Sequence, residues 1–448
     1  MKRSICWAFS GLGAIVFSVF LFPAACRSAD EAKGQWTETV PPAGATWDDL
    51  PTIQPGPDDW PCWRGPKLDN CAAEPQDPPV RWSQTENVVW KTEVPGLGYG
   101  SPSLWGKHIF LVTADNAAQV QYLLCYDRPS GKKLWQTEVH RGGFMHQHPK
   151  GMQANSTPAC DGQRVFVTFM VQGGIWLTAL DLDGKILWQK MASPFKSQHG
   201  YGASPVIYKS LVIVPADNPG TNWLTALRRD TGEVAWRVRR MDYQSYASPI
   251  VARVCGRDQL VIIGPKEVSS YDPNTGKRLW YCDGPAKEDV TTPAYDAERI
   301  YAAGGYPERN LLCIRADGSG DVTATHVVWQ LKIPVANVPS PLCHDGLLYM
   351  VNDGGLLFCF EASSGKKLWT QQLDGAFSSS PVLAGGNIYL PNEAGVTYVF
   401  KYGREFQPVA TNDLGDGGFA SPVICGSRIY LRTRHSLYCL GKADAAPR

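Results

Sequence analysis

The chain has 448 residues, carries 43 Lys and Arg against 42 Asp and Glu, and has a net charge of +1. That balance, with no polybasic run, argues against a nucleic-acid partner and against electrostatic attachment to an anionic membrane. Its 44 Gly, 34 Pro and 16 Trp suit many short strands punctuated by turns.

Residues 1–29 read as a secretory signal: Lys2 and Arg3 open it, 12–22 are apolar, and Ala25, Ser28 and Ala29 are small residues suited to cleavage. Cys26, behind Pro23-Ala24-Ala25, is the alternative acceptor of a lipid anchor and the one membrane contact expected. Export to the periplasm or cell envelope follows. Residues 30–86 form an irregular arm rich in Pro, Asp and Trp. Its Trp60 and Trp63 point to packing on a larger body, since a disordered linker seldom carries such residues. Cys62 and Cys71 are spaced to close a short disulfide loop.

From residue 87 the chain repeats with a period of about 40–56 residues, the mark of a propeller or solenoid. Each unit opens on Ser or Thr before Pro: Ser101, Thr157, Ser204, Ser248, Thr292, Ser340, Ser380 and Ser421. Two short apolar strands follow, and a third leads into a recurring phrase at 127–135, 181–188, 229–236, 272–280 and 361–369. In most copies an acidic residue ends the third strand. Gly then takes the left-handed turn position, and Trp stands in the fourth strand. Four strands per unit and eight units predict an all-β, eight-bladed β-propeller of four-stranded antiparallel blades. Two units deviate. Between Asp317 and Trp329 the turn is longer, and 401–409 contains no Trp, with Phe406 the expected substitute. The eighth unit ends after three strands, and 87–94 matches 134–139. An N-terminal strand is therefore expected to complete the last blade, so that the ring spans 87–441 and 442–448 is a tail. Cys125, Cys313, Cys359 and Cys439 share a slot that Ala179 and Ala226 fill elsewhere, which reads as a small buried strand residue. No Cys-x-x-Cys pattern supports zinc.

The recurring phrase resembles the tryptophan-docking motif of the PQQ-like (quinoprotein-type) eight-bladed propellers, over 87–441. That family includes pyrroloquinoline quinone (PQQ) dehydrogenases and the non-enzymatic propeller lipoprotein of the outer-membrane β-barrel assembly machinery. The resemblance implies that Trp90, Trp135, Trp188, Trp236, Trp280, Trp329 and Trp369 each pack between neighbouring blades. The phrase at 60–66 is similar to the opening of a branch of exported PQQ-like-repeat proteins. The dehydrogenases of the family imply PQQ with calcium, and the alcohol dehydrogenases add a disulfide between adjacent cysteines. This chain has no adjacent cysteines. Asp115-Asn116, Asp217-Asn218, Asn352-Asp353 and Asn392-Glu393 recur at equivalent turns, where such residues are ordinary. The resemblance therefore favours a monomeric, non-catalytic binding or scaffold module without a cofactor. A PQQ- and calcium-dependent oxidoreductase is the alternative.

Two places differ between repeats. The connection 140–156 carries His140, His146 and His148, and His199 lies in the next one; these are candidate transition-metal ligands or an exposed polar loop. Two or three residues before the Ser/Thr-Pro pairs stand Tyr99, Asn155, Tyr201, Tyr246, Phe377 and Phe419, with Val290 and Val338. They are expected either to ring one mouth of the channel and hold a protein or small-molecule ligand, or to cap the inner strands.

Overall fold

The computed structural model describes residues 36–145, 151–197, 199–220 and 222–442. The chain divides into two units, Met1–Thr37 and Glu38–Arg448, and the second holds every strand among the described residues. The leader and Cys26 lie outside those residues.

Each Asp…Gly…Trp phrase folds as a hairpin between the third and outer strands of a blade. In the first blade Ser103–Trp105, His108–Asp115, Val120–Asp127 and Lys133–Arg141 pair in order, each antiparallel to the last. The same order recurs through the seventh, Val382–Ala384, Asn387–Pro391, Val396–Lys401 and Pro408–Asp413. The eighth has Val423–Cys425, Arg428–Arg432 and Ser436–Leu440 of its own. Val88–Glu93 completes it, placing Trp90 opposite Cys439. The ring is thus closed by the N-terminal strand. The fourth blade gains a fifth strand: Gly320–Asp321, from the long turn before Trp329, pairs parallel to its outer strand.

The docking tryptophans share one register. Trp135 lies opposite Cys125, which lies opposite Phe110; the columns Trp188, Ala179, Phe166 and Trp369, Cys359, Tyr349 repeat it. The middle residue is small because the two rings meet across it, with centroids 6.0, 6.0 and 5.8 Å apart in these blades. A register shift beside the Trp position recurs in the ladder of all eight outer strands. A bulge there adds twist and re-aims the side chain, and the indoles reach the next blade. Trp90, Trp135 and Trp236 donate to the carbonyls of Arg128, Leu182 and Pro273 at 3.0, 2.9 and 3.1 Å. The turn glycine serves twice. At Gly131 φ is 68°, and a Cβ would lie 2.5 Å from the Trp90 ring. Only a residue without a side chain meets both demands. Trp280 is the exception, because the blade after it lacks the phrase; it donates instead to Gln259 Oε1 in its own blade, at 2.7 Å.

The seventh blade corrects the expected substitution. Its column is Tyr389, Val399, Ala410, so Ala410 holds the tryptophan position. Phe406 lies in the preceding turn, 5.4 Å from the Trp369 ring. The vacancy is filled from the arm. Trp82 stacks on Tyr389 at 6.3 Å, and its backbone N–H donates to Asn412 Oδ1 on the outer strand.

The rest of the arm crosses the face that carries the turns between first and second strands. Thr39 pairs with Arg237 at the outer edge of the third blade, and on that face Trp60 pairs with Leu104 and Pro61 O accepts from Cys160 N. Arg64, fully buried, donates to the carbonyls of Leu68 and Pro341, and Asn70 donates to that of Pro381. Blades far apart in sequence are thereby tied across the channel axis. Cys62 and Cys71 are free thiols, against the expected disulfide. Cys62 donates to Gly65 O, Cys71 lies 3.7 Å from His344 Nδ1, and burial pushes the Cys62 thiol up to about 12.

Candidate functional site: the channel mouth

The Ser/Thr-Pro pairs build the throat of the channel. Thr157 N–H donates to Ser204 Oγ, Ser204 N–H to Ser248 Oγ, Thr292 N–H to Ser340 Oγ, Ser340 N–H to Ser380 Oγ, and Ser380 N–H to Ser421 Oγ, at 2.8–2.9 Å. Ser101 Oγ–H closes on Ser421 O at 3.0 Å. A hydroxyl is needed here because each N–H at the start of an inner strand has no ladder partner and must be satisfied from the next blade. The proline that follows has no N–H to satisfy.

Above this ring lies a cavity of about 660 Å³ lined by all eight of these Ser and Thr residues. Its inner end is made by the arm: Trp63 lines it and donates through Nε1 to Thr292 Oγ1 at 3.0 Å. The channel is therefore a funnel open at the mouth and fitted with an indole at the base.

One rule sorts the wall. The residue two before each Ser or Thr lines the cavity: Tyr99, Asn155, Gly202, Tyr246, Val290, Val338, Ser378 and Phe419. The residue three before points away in most blades, because extended backbone alternates sides; Asn337, three before Ser340, is an exception and reaches the lining. Tyr201 and Phe377 obey this and are not mouth residues. Tyr201 is buried on Phe195 with its hydroxyl on Pro215 O, and Phe377 is wholly buried against Tyr398. Tyr99 and Phe419 meet at 4.1 Å, and the Tyr246 hydroxyl shares a hydrogen bond with Ser197 at 3.1 Å.

The histidines do not converge. His140 ends the outer strand of the first blade and is buried against the rings of Phe169 and Trp176; this burial pulls its imidazole down to about 4. His199 lines the cavity, edge-on to Tyr246 at 6.0 Å. His146 and His148 lie outside the described residues. Among the described residues no group of three or more His, Cys, Asp or Glu side chains is disposed to hold a metal ion.

The acidic turn residues divide by partner. Asp217 is held by Arg240 through two bonds of 2.7 and 2.9 Å, and Asp115 accepts from Ala117 and Ala118 N–H. Asp353 reaches the cavity and accepts Asn337 N–H at 2.7 Å. Glu288 lines the same side, beside Tyr306 and Asn337. Asp289, next to it, occupies a three-before position. It is wholly buried, neither carboxyl oxygen has a partner, and burial pushes its carboxyl well up, toward the neutral form. Sequence reasoning missed Trp63, Gly202, Glu288, Tyr306 and Ser378. Strict counting of two residues back from Ser/Thr-Pro finds Gly202 and Ser378; no local signal places Trp63.

Ring, docking register and funnel together define an eight-bladed PQQ-like β-propeller. The family model described as outer membrane protein assembly factor BamB matches residues 119–326 and 319–403, and the chain belongs to that family. No curated protein matches the sequence. Among solved structures, BamB from Moraxella catarrhalis is similar at a TM-score of 0.59 and 16% identity, covering 79% of this chain and 99% of that one. Quinohemoprotein alcohol dehydrogenase from Comamonas testosteroni is similar at 0.62 and 12%, covering 86% and 81%. The computationally designed Ika8 protein is similar at 0.56 and 11%, covering 78% and 98%. At such identities the likeness is one of fold, and a designed protein, an assembly factor and a dehydrogenase share it.

Proposed function

We propose that this protein is an exported, non-catalytic binding module of the cell envelope, and that the funnel holds its ligand or a segment of its partner. The observation that carries this is the composition of the wall. Hydroxyls, the rings of Tyr99, Tyr246, Tyr306 and Phe419 and an indole base surround a cavity of ligand size. Several of those hydroxyls accept backbone N–H groups of the neighbouring blade. The family description as an assembly factor of the outer membrane favours a role in the envelope through binding.

The likeness to a quinohemoprotein dehydrogenase keeps a second reading in view, a PQQ- and calcium-dependent oxidoreductase. PQQ is a tricarboxylate and is held by cationic side chains. Among the described residues the funnel wall has no Lys or Arg and presents two carboxylates, Glu288 and Asp353. The residues present do not fit that cofactor, and no step is derived through it.

Gly202 provides the test. It lines the cavity, and a Cβ there meets nothing within 4 Å, so Gly202→Trp fills the funnel without disturbing a blade. Wild-type protein is expected to retain an envelope component that Gly202→Trp loses at unchanged melting temperature. Equal retention by both would remove the funnel from the function. Calcium-dependent PQQ binding with dye reduction by the wild type would replace the binding reading with the enzymatic one.

A further inference from the structure

The funnel has a polarity that names a ligand class, on the reading that the funnel is the binding site. Its two described carboxylates come from adjacent blades. Glu288 comes from the connection leading into the fifth blade, and Asp353 from the turn between second and third strands of the sixth. Asp353 spends one oxygen on Asn337 N–H. The nearest cation in sequence, Lys287, is outside the lining, with its ammonium 4.7 Å over the Tyr243 ring. Across the ring, from the connections into the eighth and first blades, stand Phe419 and Tyr99. Behind them is positive charge. Arg432 is buried with no carboxylate partner: Nη1 donates to Val112 O and Gly100 O, while Nε and Nη2 have none. Arg434, exposed, also acts on the Tyr99 hydroxyl, and the one carboxylate acting on it in the opposite sense, Glu393, accepts a hydrogen bond from Ser378 Oγ at 2.7 Å.

A guest in this cavity meets an acidic wall on one side and an aromatic wall with cations behind it on the other. The base is the indole of Trp63. Each feature selects the same thing. Carboxylates attract a cation, aromatic faces bind cations and apolar bodies alike, and Arg432 repels a cation from the wall it stands behind. We propose that the funnel takes an organic cation, an amine or quaternary ammonium on an apolar body, with the charge at Glu288 and Asp353 and the body against Tyr99, Phe419 and Trp63.

Three ligands of one chain length separate charge from greasiness: n-hexylammonium, hexanol and hexanoate. Binding is followed by calorimetry and by the Trp63 indole N–H resonance, assigned through Trp63→Phe. The ammonium is expected to bind at least tenfold tighter than hexanol, with hexanoate weakest, and to shift the Trp63 signal. Glu288→Gln with Asp353→Asn is expected to remove that preference and leave hexanol unchanged. Hexanol or hexanoate binding as tightly as the ammonium would overturn the cation proposal while leaving the funnel as a site. Failure of all three to move Trp63, with Gly202→Trp still losing the envelope component, would likewise overturn the cation alone. Ammonium binding that persists undiminished in Gly202→Trp would place the site elsewhere and overturn both readings.

Discussion

The two ends of the channel are built from different kinds of sequence. The mouth is made by one pair of positions copied eight times, so its wall follows from counting residues back from Ser/Thr-Pro. The base is made once, by an arm with no repeat, whose Trp63 and Arg64 reach blades more than 200 residues away in the chain. Repetition makes a side chain's direction readable from its neighbours in other copies. A single long-range insertion leaves no such trace. The same contrast holds at the blade junctions, where seven docking tryptophans come from the outer strands and Trp82 comes from the arm.

Two of the arm's tryptophans, Trp82 and Trp63, offer the sharpest way to break this contrast. Trp82 is buried and completes the seventh blade's aromatic column. Its truncation leaves a large cavity at a junction where Ala410 has no ring to offer. Trp82→Ala is therefore expected to cost about 5 kcal/mol, the upper end for such changes in a core. Trp63 is half-buried and loses one hydrogen bond when removed, so Trp63→Ala is expected to cost about 1 kcal/mol. Chemical denaturation of both variants checks this. Equal losses would mean that the arm docks as one unit, and that the distinction between anchor and site within it is false.

Much of the fold was legible because the physics is local. The hairpin phrase needs Gly where φ is positive and a Trp follows, and closure by 87–94 follows from one missing strand. The small slot at Cys125 and Ala179 was visible too, although its cause, two rings meeting over it, needs the register. The site was legible only in part. Tyr99, Asn155, Tyr246 and Phe419 line the cavity as the alternation requires, but Tyr201 and Phe377 were grouped with them because two residues back and three residues back were treated alike. Extended backbone makes those positions opposite. Phe406 misled for a related reason: proximity in sequence to a vacant slot says nothing about which strand bears the slot.

That parity can itself be tested. Phe377 and Phe419 precede Ser-Pro by three and two residues, and the first is wholly buried while the second lines the cavity. Phe377→Ala is expected to cost about 3 kcal/mol and to leave ligand binding alone. Phe419→Ala is expected to cost under about 1 kcal/mol, as partly exposed side chains do, and to weaken binding at the mouth. Thermal melts and titration of the same pair give both readouts. A reversed order would show that the alternation does not hold through these connections.

The smallest effect concerns which side of the contrast the histidine connection belongs to. His140 was read from the sequence as a candidate metal ligand or part of an exposed polar loop, yet its ring lies among Phe169, Trp176 and the side chain of Gln189, and burial holds it near 4 rather than 6.5. A group whose native value is depressed binds protons first in the unfolded chain, so stability is full above about 6.5 and falls as pH drops toward 4. By pH 5 the unfolded state has taken up the proton and the native state has not. The loss there is about 2 kcal/mol, from a shift whose full extent corresponds to about 3. His140→Phe keeps the ring stacking and removes the titration. The difference in stability between pH 7 and pH 5 is expected to shrink in that variant by about that amount. An unchanged acid slope would mean that the imidazole is hydrated in solution, and that the connection opens toward the funnel.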